Sequence, residues 1–269
     1  MFVKIGNWIH NKIMESLEKP KAVYPEKSLE YHHREAFKQL EKPTIALVRK
    51  LKEAIDKEEY NTLIGDDASG RVPTLILRKV MSDRINIGNP LLSPMEKRES
   101  LMTYFVSGGQ GLSDETLGYL KLFFESIKKA GNKKFLLVTE YIQSGRSASK
   151  LADILESAGV NFDIASTFID PEASEILAKI EVGGHKIFSG SKMRVPPKIW
   201  GHEGISGVVN IKTSSNGRVL EAHAVPFVKD LEIMPLAKER QLEIQQDINN
   251  AREDVNLLSG RVIKKVWSK

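Results

Sequence analysis

Between residues 60 and 170, short apolar runs alternate with polar turns and amphipathic stretches. Residues 60–64, Tyr-Asn-Thr-Leu-Ile, read as a strand that ends in Gly65-Asp66-Asp67-Ala68-Ser69-Gly70-Arg71. A helix follows, with Pro73 suited to its first turn and Leu75, Ile76, Val80 and Met81 on its apolar side. Residues 101–106 suit a second strand, closed by the glycine-rich run 107–111. Ser113 then has the form of an N-cap, Leu117, Leu120, Phe124 and Ile127 mark a buried helix side, and Gly131 closes it. A third strand at 135–138, a turn, a helix over about 148–158 capped by Gly159, and a fourth strand at 160–168 complete the series. Strands alternating with helices in this way imply an α/β fold, a parallel sheet with helices on its faces.

The flanks differ. Residues 1–59 carry helical spacing: Ile5, Ile9, Ile13 and Leu17 recur every fourth position until Pro20 and Pro25 intervene, and further helices are expected at 28–40 and 43–57. His32 and His33 are adjacent and point different ways on a helix, so they read as a surface pair and not as metal ligands. After Asp170 a short helix at 172–179 and a strand at 186–188 are expected. A glycine- and proline-rich loop then carries Trp200 and His202, and two strands, 208–212 and 219–225, are joined through Ser215-Asn216-Gly217, a strong hairpin signal. From Pro235 the chain is helical again. Ile244, Ile248, Ala251, Val255, Leu258 and Val262 form a seam for one partner helix. Packing on the N-terminal helices is the preferred reading of that seam, with a homodimer through the terminal helices as the alternative. The expected organisation is a helical extension over 1–59, an α/β core over 60–228 that includes the hairpin, and a C-terminal helix over 229–269.

Composition narrows the function classes. The 269 residues contain no cysteine, which excludes disulfides, thiolate metal sites and cysteine nucleophiles and suits a reducing compartment. The N-terminus lacks the continuous apolar stretch of a signal peptide, and nothing elsewhere approaches the ~20 apolar residues of a spanning helix, so a cytoplasmic protein without a membrane partner is expected. Net charge is +5 with no basic run interleaved with aromatics, which argues against a nucleic-acid partner and suits a polyphosphate ligand.

In an open parallel sheet, ligands bind at the carboxyl ends of the strands. Two polar turns are expected there, 65–71 and 139–147. In the second, Ser144 and Ser147 offer hydroxyls, Gly145 lets the backbone bend, and Arg146 adds charge. A phosphate fits the outward N–H groups of a helix start, although Ser-Gly-x-Ser also serves as a simple cap. Glu140, a few positions earlier, suits sugar hydroxyls or hydrated magnesium. The first turn adds Asp66, Asp67 and Arg71. Neither a Walker-type phosphate loop nor a dinucleotide fingerprint is present.

The run Leu136-Leu137-Val138-Thr139-Glu140-Tyr141-Ile142-Gln143-Ser144-Gly145-Arg146-Ser147 resembles the phosphoribosyl-pyrophosphate motif of type I phosphoribosyltransferases. In that family an apolar strand leads into two acidic residues and then a Thr/Ser-Gly-x-Thr/Ser turn. The resemblance, which spans residues 60–170, implies a phosphoribosyltransferase-type core and glycosyl (pentosyl) transfer in nucleotide metabolism. It implies that Ser144, Gly145, Arg146 and Ser147 hold the 5′-phosphate and that Thr139 and Glu140 contact the ribose. Asp67, Ala68, Ser69, Gly70 and Arg71 would correspond to the pyrophosphate loop, with Arg71 and Glu140 as catalytic residues and Asp66, Asp67 and Glu140 as magnesium ligands. The partners implied are phosphoribosyl pyrophosphate and a small nitrogenous acceptor. Thr139 departs from the pattern, because it stands where the first acidic residue is expected. A non-catalytic sensor or regulator of the same fold is therefore a second expectation. An interaction protein, in which both turns are only caps and solvated loops, is a third.

Overall fold

A computed structural model of the chain describes residues 30–88, 101–106, 114–130, 134–194 and 238–268; the side chains of some helical residues, Asp67, Ala68, Ser69 and Ile244 among them, lie outside the description. The chain divides into two units, Met1–Glu30 and Tyr31–Lys269. All the described elements belong to the second unit. The helix expected before Pro20, the run 107–111, Trp200, His202 and the hairpin at 208–225 fall outside the described residues.

The order of elements is α1 (Arg34–Asp56), β1 (Tyr60–Asp66), α2 (Asp67–Gly88), β2 (Met102–Val106), α3 (Asp114–Ala130), β3 (Lys134–Ile142), α4 (Arg146–Ser157), β4 (Phe162–Ile169), a 3-10 turn (Pro171–Ala173), α5 (Ser174–Val182), β5 (Ile187–Lys192) and α6 (Lys238–Trp267). Among the described residues, five strands form one sheet in the order β2-β1-β3-β4-β5, and each of these pairings is parallel. The expected α/β class is therefore observed.

Both faces of the sheet are covered. Leu63, Leu136, Val138, Ala165 and Phe168 pack against α1, α2 and α6 on one face. Ile64, Phe135, Leu137, Ile164 and Ile169 pack against α3, α4 and α5 on the other. Strands buried on both faces lose the polar alternation of half-exposed strands. That explains the near-continuous apolar run at 135–138.

The N-terminal flank departs from expectation. One helix, α1, replaces the two expected at 28–40 and 43–57, with Pro43 inside it. An interior proline costs about 3 kcal/mol. Phe37, Leu40, Leu47 and Leu51 are fully buried along the same helix, and each contributes about 1.5–3 kcal/mol relative to exposure. Packing therefore outweighs the break.

The seam on α6 closes within the chain. Ile248, Ala251, Val255, Leu258 and Val262 are all buried, and α6 packs on α1 and α2. The pair His32 and His33 is not a surface pair. The His33 ring is almost fully buried, with Nδ1 2.8 Å from Asp254 Oδ2 and Nε2 2.8 Å from Asp247 Oδ1, both on α6. His32 Nε2 lies 2.9 Å from Glu253 and remains half-exposed. The sequence spacing on one helix hid this, because the partners lie more than 200 residues downstream.

At the amino ends of the strands, Asp163 is fully buried and joins four elements. Its carboxylate accepts from Tyr60 Oη (2.6 Å), Lys134 Nζ (2.7 Å) and the Lys186 N–H (2.7 Å). Burial first, then the bond to Asp163, pushes the Tyr60 hydroxyl pKa far up. This staple lies at the end of the sheet opposite the carboxyl-end crevice, so its role is stability.

Candidate functional site

The strand order sets the position of the site. From β1 the chain crosses outward to β2, then returns past β1 to β3 and continues to β4 and β5. The helix after β1 lies on one face and the helix after β3 on the other. The carboxyl ends of β1 and β3 thus flank the topological switch point, where open α/β sheets form a crevice. The two polar segments singled out in the sequence, 65–71 and 139–147, lie at the ends of these two adjacent strands.

At the end of β1 there is no loop. Asp66 closes the strand and Asp67 opens α2, so residues 67–71 are the first turn and a half of a helix. Pro73 stands inside α2, beyond its expected place in the first turn. Gly70 is required by a close approach: a Cβ there would lie 2.6 Å from the Val138 carbonyl oxygen and 3.1 Å from Gly65 C. Helix α2 therefore starts pressed against β1 and β3. Arg71 is buried, 8% exposed, and Asp66 is half-buried.

Strand β3 runs four residues further than expected, through Thr139, Glu140, Tyr141 and Ile142. It is central, and pairing with β4 continues at Thr139–Ser166, Tyr141–Phe168 and Ile142–Ile169. The turn thus begins at Gln143 and not at Thr139. Thr139 and Glu140 are each only 3% exposed.

The side-chain alternation slips at this level. Leu136 and Val138 share one core face with Tyr141, an odd spacing, while Phe135 and Leu137 share the other with Ile142. On β4 the same slip separates Ala165 from Phe168 and Ile164 from Ile169. A strand alternates faces strictly unless a bulge intervenes, and bulges re-aim side chains next to sites. Here both strands slip together, and the register survives. Ser166 Oγ donates to the Phe168 carbonyl (2.6 Å) and lies 3.4 Å from the Glu140 carbonyl.

Helix α4 begins at Arg146, two residues earlier than expected. Its N-cap is Gly145 in the left-handed region, φ +75°, and no side chain caps it. The first helical bond runs from the Ser149 N–H to the Gly145 carbonyl, 2.8 Å. The N–H groups of Arg146, Ser147 and Ala148 precede the intrahelical ladder, at the positive end of the helix dipole. Ser144 and Arg146 are exposed and Ser147 is half-buried. The serines thus flank a bare helix start.

Sequence reasoning missed Tyr141 and Asp170. The Tyr141 hydroxyl donates to Asp170 Oδ2 at 2.7 Å, with the Arg194 carbonyl at 3.3 Å as a second acceptor. Asp170 Oδ1 accepts from the Glu172 N–H at 2.9 Å and caps the 3-10 turn. Burial first, then the Asp170 bond, pushes the Tyr141 pKa up to about 12. The Glu172 N–H first, then Tyr141, holds the Asp170 carboxyl below its ordinary range. The Asp-Pro-Glu start of the 3-10 turn could have pointed to Asp170 as a cap. Nothing in sequence pointed to Tyr141.

Of the expected magnesium ligands, Asp66 and Glu140 belong to adjacent strands at the switch point, and the Asp67 side chain lies outside the description. Among the described residues, no group of three or more His, Asp or Glu side chains could hold a metal. No described helix is long and apolar enough to cross a membrane. No protein-family model, curated protein or solved structure matches the chain.

Proposed function

We propose that the protein binds phosphoribosyl pyrophosphate at the β1/β3 switch point and transfers its phosphoribosyl group to a nitrogenous, nucleobase-type acceptor with release of pyrophosphate. One observation carries the reading: the two polar segments, the helix start after β1 and the turn after β3, follow adjacent strands on either side of the switch point of the sheet. A bare helix start bordered by two serines and an exposed arginine is suited to a phosphate monoester.

In this reading Ser144, Gly145, Arg146 and Ser147 hold the 5′-phosphate, Thr139 and Glu140 orient the ribose, and residues 67–71 meet the pyrophosphate. The acceptor nitrogen forms a bond to the anomeric carbon as the bond to the pyrophosphate oxygen breaks. The electron pair leaves with pyrophosphate, and the acceptor's proton is lost to water. The transition state is oxocarbenium-like, so the protein mainly positions the reactants and offsets charge on the leaving group. Arg71 supplies a fixed cation for that charge. Magnesium needs only one or two carboxylates beside waters and phosphate oxygens, which Asp66 and Glu140 can provide. Bound there, it would add positive charge beside the pyrophosphate.

Thr139 favours a second reading. A buried hydroxyl replaces the charge expected at the first acidic position, which suits a non-catalytic sensor of phosphoribosyl pyrophosphate or a nucleotide. Calorimetry with phosphoribosyl pyrophosphate and magnesium chloride tests the shared part, and saturable binding is expected. Absence of binding would overturn both readings. Pyrophosphate release across a nucleobase panel then separates them, with release supporting the transferase and binding without release supporting the sensor.

A further inference from the structure

The turn at 143–147 has no side-chain cap of its own, so something else must hold it. Its underside rests on the segment that follows β4. A Cβ on Gly145 would lie 3.1 Å from Ile176 Cγ2, 3.2 Å from Ile176 Cβ and 3.8 Å from Ala173 Cβ. Ala173 is fully buried there. The start of that segment is fixed by Asp170, whose carboxylate accepts from the Glu172 N–H and whose carbonyl accepts from the Ala173 N–H at 3.0 Å. The remaining carboxylate oxygen accepts from Tyr141, four residues before Gly145 on the strand that leads into the turn. The Asp170 N–H donates to the Ile142 carbonyl at 2.8 Å.

These contacts form a closed ring. It runs from Tyr141 through the turn to Gly145, across to Ile176 and Ala173, back to Asp170, and through the hydroxyl–carboxylate bond to Tyr141. We infer that Tyr141 and Asp170 are positioning residues that hold the 143–147 turn and the bare amides of α4 in the geometry an anionic ligand requires. The inference rests on the phosphate-binding reading above. Amides aimed at an anion stabilise it only if they are held in place beforehand, since ordering a loose turn on binding costs affinity.

The matching staple at the other end of the sheet supplies the control. Tyr60 donates to buried Asp163 at 2.6 Å, so Tyr60→Phe and Tyr141→Phe each delete one buried tyrosine–aspartate hydrogen bond. With phosphoribosyl pyrophosphate and magnesium as the probe, Tyr141→Phe and Asp170→Ala are expected to raise Kd about tenfold. Tyr60→Phe should leave Kd within about twofold at a comparable loss of thermal stability. Asp170→Asn, whose one amide oxygen keeps the Glu172 N–H cap while its amide N–H donates to the Tyr141 oxygen, should restore most of the affinity lost in Asp170→Ala. Equal effects of Tyr60→Phe and Tyr141→Phe on Kd, or no effect of either, would overturn the inference.

Hydrogen exchange of the ligand-free protein separates this inference from the ligand assignment. The hydrogen-bonded amides of Ser149, Asp170 and Ala173 should exchange at least about tenfold faster in Tyr141→Phe, and unchanged in Tyr60→Phe. Unaltered exchange in Tyr141→Phe would overturn the ring whatever the ligand. If the unsubstituted protein fails to bind the probe while exchange behaves as expected, the ligand reading falls and the ring stands.

Discussion

Asp254 on α6 holds the start of α1 from more than 200 residues away: its carboxylate accepts the backbone N–H groups of His32 (2.7 Å) and His33 (2.8 Å) and the His33 imidazole (2.8 Å). His33 is the N-cap residue of α1 yet makes no side-chain cap within the helix. The cap is supplied in space by a negative charge at the helix start, where the dipole favours it.

This clasp should respond to pH. Burial by itself lowers the His33 pKa, but the hydrogen bonds and charges of Asp254 and Asp247 outweigh it, and the net shift is upward from 6.5. The folded state therefore binds the proton more tightly than the unfolded chain. Its contribution is fully present below the unfolded value near 6.5 and is lost as pH rises through the higher folded value. The melting-temperature gap between the unsubstituted protein and His33→Gln should be largest near pH 6 and shrink toward pH 9. Asp254→Ala, which removes the buried acceptor shared by His33 Nδ1 and two backbone N–H groups, should cost about 3–5 kcal/mol in denaturant titrations.

The phosphate assignment stands or falls on the serines. Ser144→Ala with Ser147→Ala should abolish measurable binding of phosphoribosyl pyrophosphate in calorimetry. Neither serine is buried, so stability should stay within about 0.5 kcal/mol of the unsubstituted protein. Unchanged affinity would refute the assignment.

At the opposite end of the sheet, Asp163→Ala should be the costly change. It leaves Lys134, the Tyr60 hydroxyl and the Lys186 N–H without their shared acceptor. Chemical denaturation should show a loss of about 3–5 kcal/mol. At temperatures where the variant stays folded, ligand affinity should not change, because the residue lies at the amino ends of the strands.

Four glycines should give opposite results. A Cβ at Gly190 would run into the Pro43 carbonyl oxygen, and backbone cannot yield that far, so Gly190→Ala should destabilise by several kcal/mol or prevent folding. At Gly145 the left-handed φ of +75° gives Gly145→Ala a cost of about 1–2 kcal/mol before any contact with Ile176 is counted. Gly118 and Gly260 lie exposed inside helices, and a Cβ added at either would have nothing within 4 Å. Alanine at each should stabilise by about 0.5–1 kcal/mol. Thermal melts of the four variants check the order.

The alternation of apolar runs, polar segments and amphipathic stretches over 60–170 was enough to read a parallel α/β sheet and to place two polar segments near strand ends, though not to see that the first opens a helix and that the second begins only at Gln143. Those patterns are local: they depend on period, on turn residues and on caps. The 4,3,4,3,4 seam of α6 was legible for the same reason. Its partner was legible in part: α1, an N-terminal helix as expected, receives it, but α2 shares the contact and no local pattern announces that.

What tertiary structure decided was the outcome of contacts between distant segments. Thr139 and Glu140 became strand because β4 goes on pairing with β3 through Ile142, past Val138 where the pairing with β1 ends, and both residues are buried. Pro43 remained in one helix because the buried side chains around it outweigh the bond it lacks. His33 became a core residue because Asp247 and Asp254 come to it from α6, and Tyr141 joined the site because β4 delivers Asp170 to its hydroxyl. The sequence determined which segments could be strand, turn or helix; only the fold determined which side chains meet, because burial and pairing are settled between segments and leave no local pattern.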